Sequence, residues 1–490
     1  MTPATTILLA LAVPLVGAGL IAAAHRAPNV RETITMITAG LLFLLVASLT
    51  PLVLAGERPA VTLFEIMPGL AFRFEVEPLG MLFGLIASGL WIVNSLYSIG
   101  YMRGNDEQHQ TRFYVCFAGA LASTMGIAFA GNLLTLFLFY EALTLVTYPL
   151  VTHHGTKESM HAGRLYLGLL VGTSIAFLLV AIIWTWHLTG TLDFTAGGIL
   201  RDQASNATVG ALLALYVFGI GKAAVMPVHR WLPAAMVAPT PVSALLHAVA
   251  VVKAGVFSVL KIVVYVFGVD AIAGLKSVDW LPFISGFTII AASIVALRSD
   301  NLKRRLAYST VSQLSYVVLS AALLTPLSVI GAALHIATHA VGKITLFFAA
   351  GAIYTAAHKT EVSQLDGIGR RMPWTMTAFT IGALSLIGVP PAAGFVSKWF
   401  IFSGAIGGGH YVVLAVLIVS TLLNAAYFLP IVHAAFFRSP AAGAEDHDHG
   451  EAPWPMVVAL TATAGLTIAL FFFADLPLEL GRQLAGERLR

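Results

Sequence analysis

Residues 221–257 read GKAAVMPVHRWLPAAMVAPTPVSALLHAVAVVKAGVF, and the architecture turns on this stretch. Its first part continues an apolar span of about 208–237, yet glycines stand at 219 and 221, a lysine at 222 and prolines at 227 and 233. Glycine loosens a helix and proline removes a backbone donor, so this span is opened partway. A second apolar span, about 241–267, follows directly and carries Lys253 in its middle. Opened backbone at membrane depth is tolerated only where protein or water satisfies it. A broken apolar helix bearing a lysine therefore belongs to a protein interior.

The rest of the chain has the same character. It has 490 residues, of which 58% are hydrophobic and 10% charged, against about 25% charged for a soluble globular protein. With a mean hydropathy of +0.88 there is no room for a large soluble domain. The net charge of +4 reflects basic cytoplasmic loops better than a nucleic-acid partner. One cysteine, Cys116, excludes a disulfide framework and a cysteine-ligated cluster. No motif for nucleotide, quinone or flavin is present, so no cofactor is expected. The apolar stretch 5–24 lacks a basic leading segment and is read as a retained first membrane helix.

A spanning helix needs about 20 apolar residues, and about fourteen such spans fit the chain. The twelfth, about 374–405, is again too long and is interrupted by GVPPAAGFVSKW from Gly388. Broken helices at matching places of two halves point to an internal repeat with an ion site between the halves. The expected fold is an all-α polytopic membrane protein with two inverted five-helix repeats. Residues 1–110 form leading helices, 111–267 the first repeat and 280–437 the second. Residues 438–490 hold a loop and a last helix. Loops after odd-numbered spans carry most basic residues, Arg103, Lys157, Lys303, Arg304, Arg370 and Arg371 among them. Loops after even-numbered spans hold only Arg58, Arg73, Arg201 and Lys276. The odd loops are then cytoplasmic and both termini external. Segments 56–76, 189–207 and 439–453 read as hydrophilic loops, and the HDH run at His447–His449 as solvated.

An intramembrane charge costs at least about 2.5–3.5 kcal/mol, so the exceptions to loop placement carry the functional argument. Glu141, in NLLTLFLFYEALTLVTYPL, lies about 15 Å from the helix end at Gly131 and reads as the one deeply placed acid. A structural ion pair is the plainer alternative. Lys222 sits in the first break, where freed carbonyls and water can hold it; snorkelling is its alternative. A buried lysine exchanges protons closer to neutral pH than an exposed one. Lys253 and His247 are six residues apart, about 600°, and are expected to face different neighbours. His335, His339 and Lys343 recur at i, i+4 and i+8, one stripe suited to proton relay. The same histidine spacing can ligate zinc, but no further cysteine or acid accompanies it. Lys398, in the second break, matches Lys222.

These motifs together resemble the antiporter-like subunits of multisubunit (Mrp-type) cation/proton antiporters, respiratory complex I and membrane hydrogenases. FYEALTL at 139–145, the quoted 221–257 stretch, LKRRLAYSTVSQLSY at 302–316, HIATHAVGK at 335–343 and GVPPAAGFVSKW at 388–399 carry the resemblance. It implies fourteen helices and a proton path running through Glu141, Lys222, Lys253, His335, His339 and Lys398. It implies other membrane subunits as partners and a bacterial plasma membrane as the setting. The size fits the smaller D-type member of the antiporters or a mid-sized complex I subunit. Three functions remain open. They are a subunit exchanging protons for sodium or another monovalent cation, a pump module driven by a redox complex, and a coupling scaffold with no ion path.

Overall fold

The computed structural model describes residues 1–439 and 450–486; the HDH run and most of the 439–453 loop lie outside them. The helix α1 (Pro3–Ala23) matches the expected span 5–24, and α2 (Pro28–Leu54), α3 (Pro78–Gly104), α4 (Gln110–Ala128) and α5 (Leu133–Val151) follow it. The sixth span is one 33-residue helix, α6 (Lys157–Thr189). The seventh is a helix, α7 (Asn206–Gly219), that stops at the break and gives way to short turns up to Val237. Then come α8 (Thr240–Phe267), α9 (Trp280–Arg298), α10 (Leu302–Ala322) and α11 (Pro326–Ala357). The twelfth span is two helices, α12 (Pro373–Ile387) and α13 (Gly394–Gly407), and α14 (Tyr411–Phe437) and α15 (Trp454–Phe472) complete the bundle.

Burial sorts these helices. The most apolar windows of α8 and α11 are wholly buried, whereas only a third of those of α1 and α14 is. Lys253 and Lys261 on α8 and His335, His339 and Lys343 on α11 thus ride on the two most enclosed helices. A helix that is apolar all round and still carries lysine has to be enclosed by other helices.

Two elements depart from the sequence expectation. The segment 56–76, read as a loop, contains an antiparallel hairpin, β1 (Ala60–Met67) and β2 (Leu70–Glu75). Pro68 and Gly69 turn it, and Gly69 has φ +82°, a backbone conformation that favours glycine. Residues 438–490, expected to hold a loop and one last helix, carry a second helix after α15, α16 (Asp475–Leu484), which buries Leu480 and Leu484 against α3 and α11.

The break after α7 packs directly on α8. Gly255 lies against it, and a Cβ there would stand 2.3 Å from both Ala223 N and the Lys222 carbonyl carbon. Any side chain at 255 has to push two backbones apart. Overpacking of this kind costs about 1–3 kcal/mol or more. Gly255→Leu is accordingly expected to lower the thermal midpoint of the detergent-purified protein and its yield from membranes. An unchanged midpoint would mean that the two backbones separate freely.

Candidate functional site: an ionisable line between two helix breaks

The first break is closed by polar groups from α5. The Lys222 backbone N–H donates to Tyr140 Oη at 3.1 Å, and Lys222 Nζ donates to the Tyr140 carbonyl at 2.7 Å and Thr144 Oγ1 at 2.6 Å. The ammonium also lies 3.2 Å from the centre of the Tyr140 ring. Trp231 Nε1 donates to the freed Gly221 carbonyl at 3.0 Å. The lysine is therefore held by its neighbour's backbone, whereas the sequence reading placed it on carbonyls of its own opened helix. Lys222 is fully buried.

Glu141, expected as the deepest acid, is only half-buried, while Glu77 and Glu32 are 3% and 4% exposed. It shares an outward face with Leu138 and Leu145, which are 44% and 60% exposed. Depth along a helix is readable from sequence; the direction a side chain takes around it is not. Among the described residues no ion pair within 4.0 Å joins Glu141 to Lys222, and Glu141 Oε1 is buried without a protein partner.

The centre of the bundle is better connected. Lys253 Nζ and His339 Nδ1 are 2.5 Å apart. The rings of His339 and His335 stack with centroids 5.8 Å apart. His335 Nδ1 meets Ser397 Oγ at 2.9 Å and its Nε2 meets Gln313 Oε1 at 3.0 Å. Ser397 adjoins Lys398, whose ammonium donates to the carbonyls of Leu386 and Ile387 at 2.8 and 3.0 Å. That ammonium also lies 4.9 Å from the centre of the Tyr316 ring, and Tyr316 stacks on His335 at 5.5 Å. Here the reading of freed carbonyls holding a lysine fits the geometry. Gly388, with φ +93°, makes the room: a Cβ there would lie 2.7 Å from Lys398 Cδ.

Two of the expected relay residues, Lys343 and His247, lie to the side of this line. Lys343 turns from the histidines to Ser309 Oγ at 2.6 Å and the Leu306 carbonyl at 3.3 Å. His247 packs on Phe347 of α11 at 4.8 Å, and neither of its ring nitrogens has a protein partner. His247 and Lys253, which do not share a face, meet different neighbours on α11, Phe347 and His339. A wide π-type turn, Leu245–Val249, carries the histidine. Buried polar atoms without protein partners, such as His247 Nδ1, His247 Nε2 and His339 Nε2, call for water.

The sequence reading missed the side chains that hold the line. Ser309, Gln313 and Tyr316 on α10 touch Lys343, His335 and Lys398 in turn. They recur at i, i+4 and i+7, a polar stripe that would have marked the face.

This bundle, with lysines and histidines enclosed between two opened helices, has the architecture of an antiporter-type membrane subunit. The chain belongs to the NADH:quinone oxidoreductase/Mrp antiporter transmembrane family, whose model matches residues 130–424. It is 34% identical to the N-type subunit of the NADH-quinone oxidoreductase of Desulforudis audaxviator over 77% of this chain and 76% of that protein. It is 27% identical to the D-type subunit of the Na(+)/H(+) antiporter of Alkalihalophilus pseudofirmus over 79% of this chain and 77% of that protein. Of several longer relatives it spans only 39% to 62%. Among solved structures, a chain of the Mrp complex from Dietzia sp. shares the fold with a TM-score of 0.87 at 23% identity. The match covers 99% of this chain and 97% of that one.

Ser397 is the polar hinge of the line: it also receives the Thr338 hydroxyl at 2.9 Å and donates to the Gly394 carbonyl at 3.1 Å. Ser397→Ala leaves His335 Nδ1 and the Thr338 hydroxyl unpaired in the interior. A destabilisation of about 1–3 kcal/mol is expected, read as a fall in the thermal midpoint. Ser397→Cys, which keeps a weak donor and acceptor, should lose less.

Proposed function

We propose that this chain is the proton-translocating membrane subunit of a multisubunit monovalent cation/proton antiporter of the bacterial plasma membrane, with sodium as the leading counter-ion. The observation that carries the reading is the line Lys253–His339–His335–Ser397–Lys398, which reaches the second break through contacts of 2.5 to 2.9 Å and one ring stack. Lysines and histidines enclosed in protein can hold or release a proton at modest cost, whereas a purely structural bundle has no use for so many. The name of the A. pseudofirmus relative supports the antiporter assignment.

In this reading residues 111–267 and 280–437 are the two inverted repeats, each opened at its lysine, and 1–110 and 438–490 flank them. Lys222 and Glu141 serve the first repeat, Lys253 and the histidines the junction, and Lys398 the second. Lys343 and His247 border the junction and tune it by charge and by water. A proton on Lys253 opposes a proton on its neighbours, so the groups titrate as a coupled set and a charge entering at one end displaces one at the other. The remaining subunits of the complex complete the counter-ion path.

A second reading has its own support. The identity to a NADH-quinone oxidoreductase subunit is higher, at 34%, which favours a pump module of a redox complex. The same line would then move protons under a different drive. An intact line argues against a coupling scaffold that has no ion path.

Lys398→Arg tests the role of the line, because arginine stays charged at any working pH. In membrane vesicles holding the whole complex, this variant is expected to assemble normally and lose most proton flux, by at least about tenfold. Lys222→Ala should do the same. Proton flux at the wild-type rate across about pH 6–9 in Lys398→Arg would make Lys398 a structural charge. Sodium-driven flux separates the antiporter from the redox-driven pump, which needs an electron donor.

A further inference from the structure

The interior holds one more lysine, which the line from Lys253 to Lys398 leaves unused. Lys261 is fully buried on α8, and its ammonium lies 3.1 Å from Glu77 Oε1 and donates to the Ala130 carbonyl at 2.9 Å. Glu77 is itself 3% exposed and caps the start of α3, accepting from the N–H groups of Leu79 and Gly80 at 2.7 and 2.8 Å. Tyr265 donates its hydroxyl to Glu77 Oε2 at 3.1 Å. Such a buried pair adds little net stability over an apolar pair of similar volume, so packing alone does not call for it.

Its surroundings give it a use. Tyr265 and Pro78, the neighbour of Glu77, line a cavity of about 680 Å³ together with Glu57, Arg58, Asp270 and Glu479. The walls are the turn after α2, the start of α3, the end of α8, the start of α11 and α16. All of these lie on the face opposite the basic loops, which is the external face. Two of the walls, α16 and the turn at Glu57, are tied by Gln483 Nε2, which donates to the Leu54 carbonyl at 3.0 Å. In the other direction, Lys261 follows Lys253 by two turns of α8, about 12 Å along the axis and on nearly the same face. Phe257 stands between them, its ring 4.9 Å from that of Phe83 and 5.3 Å from the Lys261 ammonium.

We propose that Glu77, Lys261 and Tyr265 form the external exchange station for protons, connecting the interior line to this cavity across the Phe83–Phe257 pair. The proposal rests on the reading of the chain as a proton carrier. The Lys261 ammonium passes its proton to the Glu77 carboxylate, leaving an amine and a carboxylic acid. The acid releases the proton to water in the cavity, with the Tyr265 hydroxyl donating and accepting in turn, and the carboxylate is restored. The amine then takes the next proton from the Lys253 side. Every proton that enters leaves, and the reverse sequence serves uptake. The aromatic pair keeps the two lysines from being joined by a permanent water column.

Three variants of the whole complex in membrane vesicles test this. Lys261→Arg keeps the charge and the pairing with Glu77 but cannot release its proton. Tyr265→Phe removes one hydroxyl and disturbs no charge. Both are expected to assemble normally. Proton flux should fall at least about tenfold in the first and several-fold in the second. In Tyr265→Phe the dependence of flux on external pH should change, while its dependence on cytoplasmic pH stays as in the wild type. A clamp with a merely structural role would not produce that asymmetry. Lys253→Ala is the control. If it abolishes flux while Lys261→Arg and Tyr265→Phe carry protons at the wild-type rate, the external station is wrong and the proton-carrier reading stands. If Lys253→Ala leaves flux intact, both fall. Should Lys261→Arg fail to assemble, Tyr265→Phe decides alone: wild-type flux with unaltered pH dependence on both sides overturns the station.

Discussion

Lipid offers no hydrogen bonds, so every backbone group released by an opened membrane helix has to be satisfied from within the protein. The architecture follows from that constraint. At the first break the neighbouring helix supplies a tyrosine hydroxyl, and a tryptophan reaches back to the Gly221 carbonyl. At the second, Ser385 Oγ receives the Gly394 N–H at 3.0 Å and the Lys398 ammonium takes two carbonyls. Each lysine is therefore both a charge that needs acceptors and a donor that closes a gap. The breaks and the charges are stable only together.

The two breaks solve this problem differently. Lys398 is held by carbonyls just ahead of its own gap, and Lys222 by a carbonyl and a hydroxyl of α5. A shift of α5 relative to α7 would alter the hold on Lys222 directly, while Lys398 answers to the local conformation at 386–394. Repeats alike in outline can thus respond to different movements. Between them α11 acts as the shared member, since its histidines meet Lys253 on one side and Ser397 on the other.

Much of this was legible in the sequence, and the reasons are physical. Lysines at 222, 253 and 398 stood out because charge in a long apolar run is costly, and the breaks because glycine and proline cluster beside two of them. Helix ends agreed to a few residues because apolar length is fixed by bilayer thickness. What failed was information about direction around a helix. Glu141 is less enclosed than Glu77 and Glu32, and the widened turn at Leu245–Val249 beside His247 is announced by no residue pattern. Lys261 escaped notice because it lies near a span end, where a lysine ordinarily reaches for water; Glu77, far away in sequence, supplies the reason it stays inside. The hairpin at 60–75 is hard to read from sequence because its first strand, AVTLFEIM, is largely exposed and does not alternate apolar with polar residues.

The uneven burial of the helices bears on how such a chain can change over generations. Leu15, Val16 and Leu20 on α1 are 52% to 62% exposed on the outside of the bundle, and against hydrocarbon one apolar side chain serves about as well as another. Val249, Ala250 and Ile336 are enclosed on every side and have shapes fitted to their neighbours. Mutational drift is therefore nearly free on the outside of the bundle and heavily penalised within. Two such chains can diverge until little of their lettering agrees and still superimpose, because the letters that are free to vary are not the ones that set the backbone.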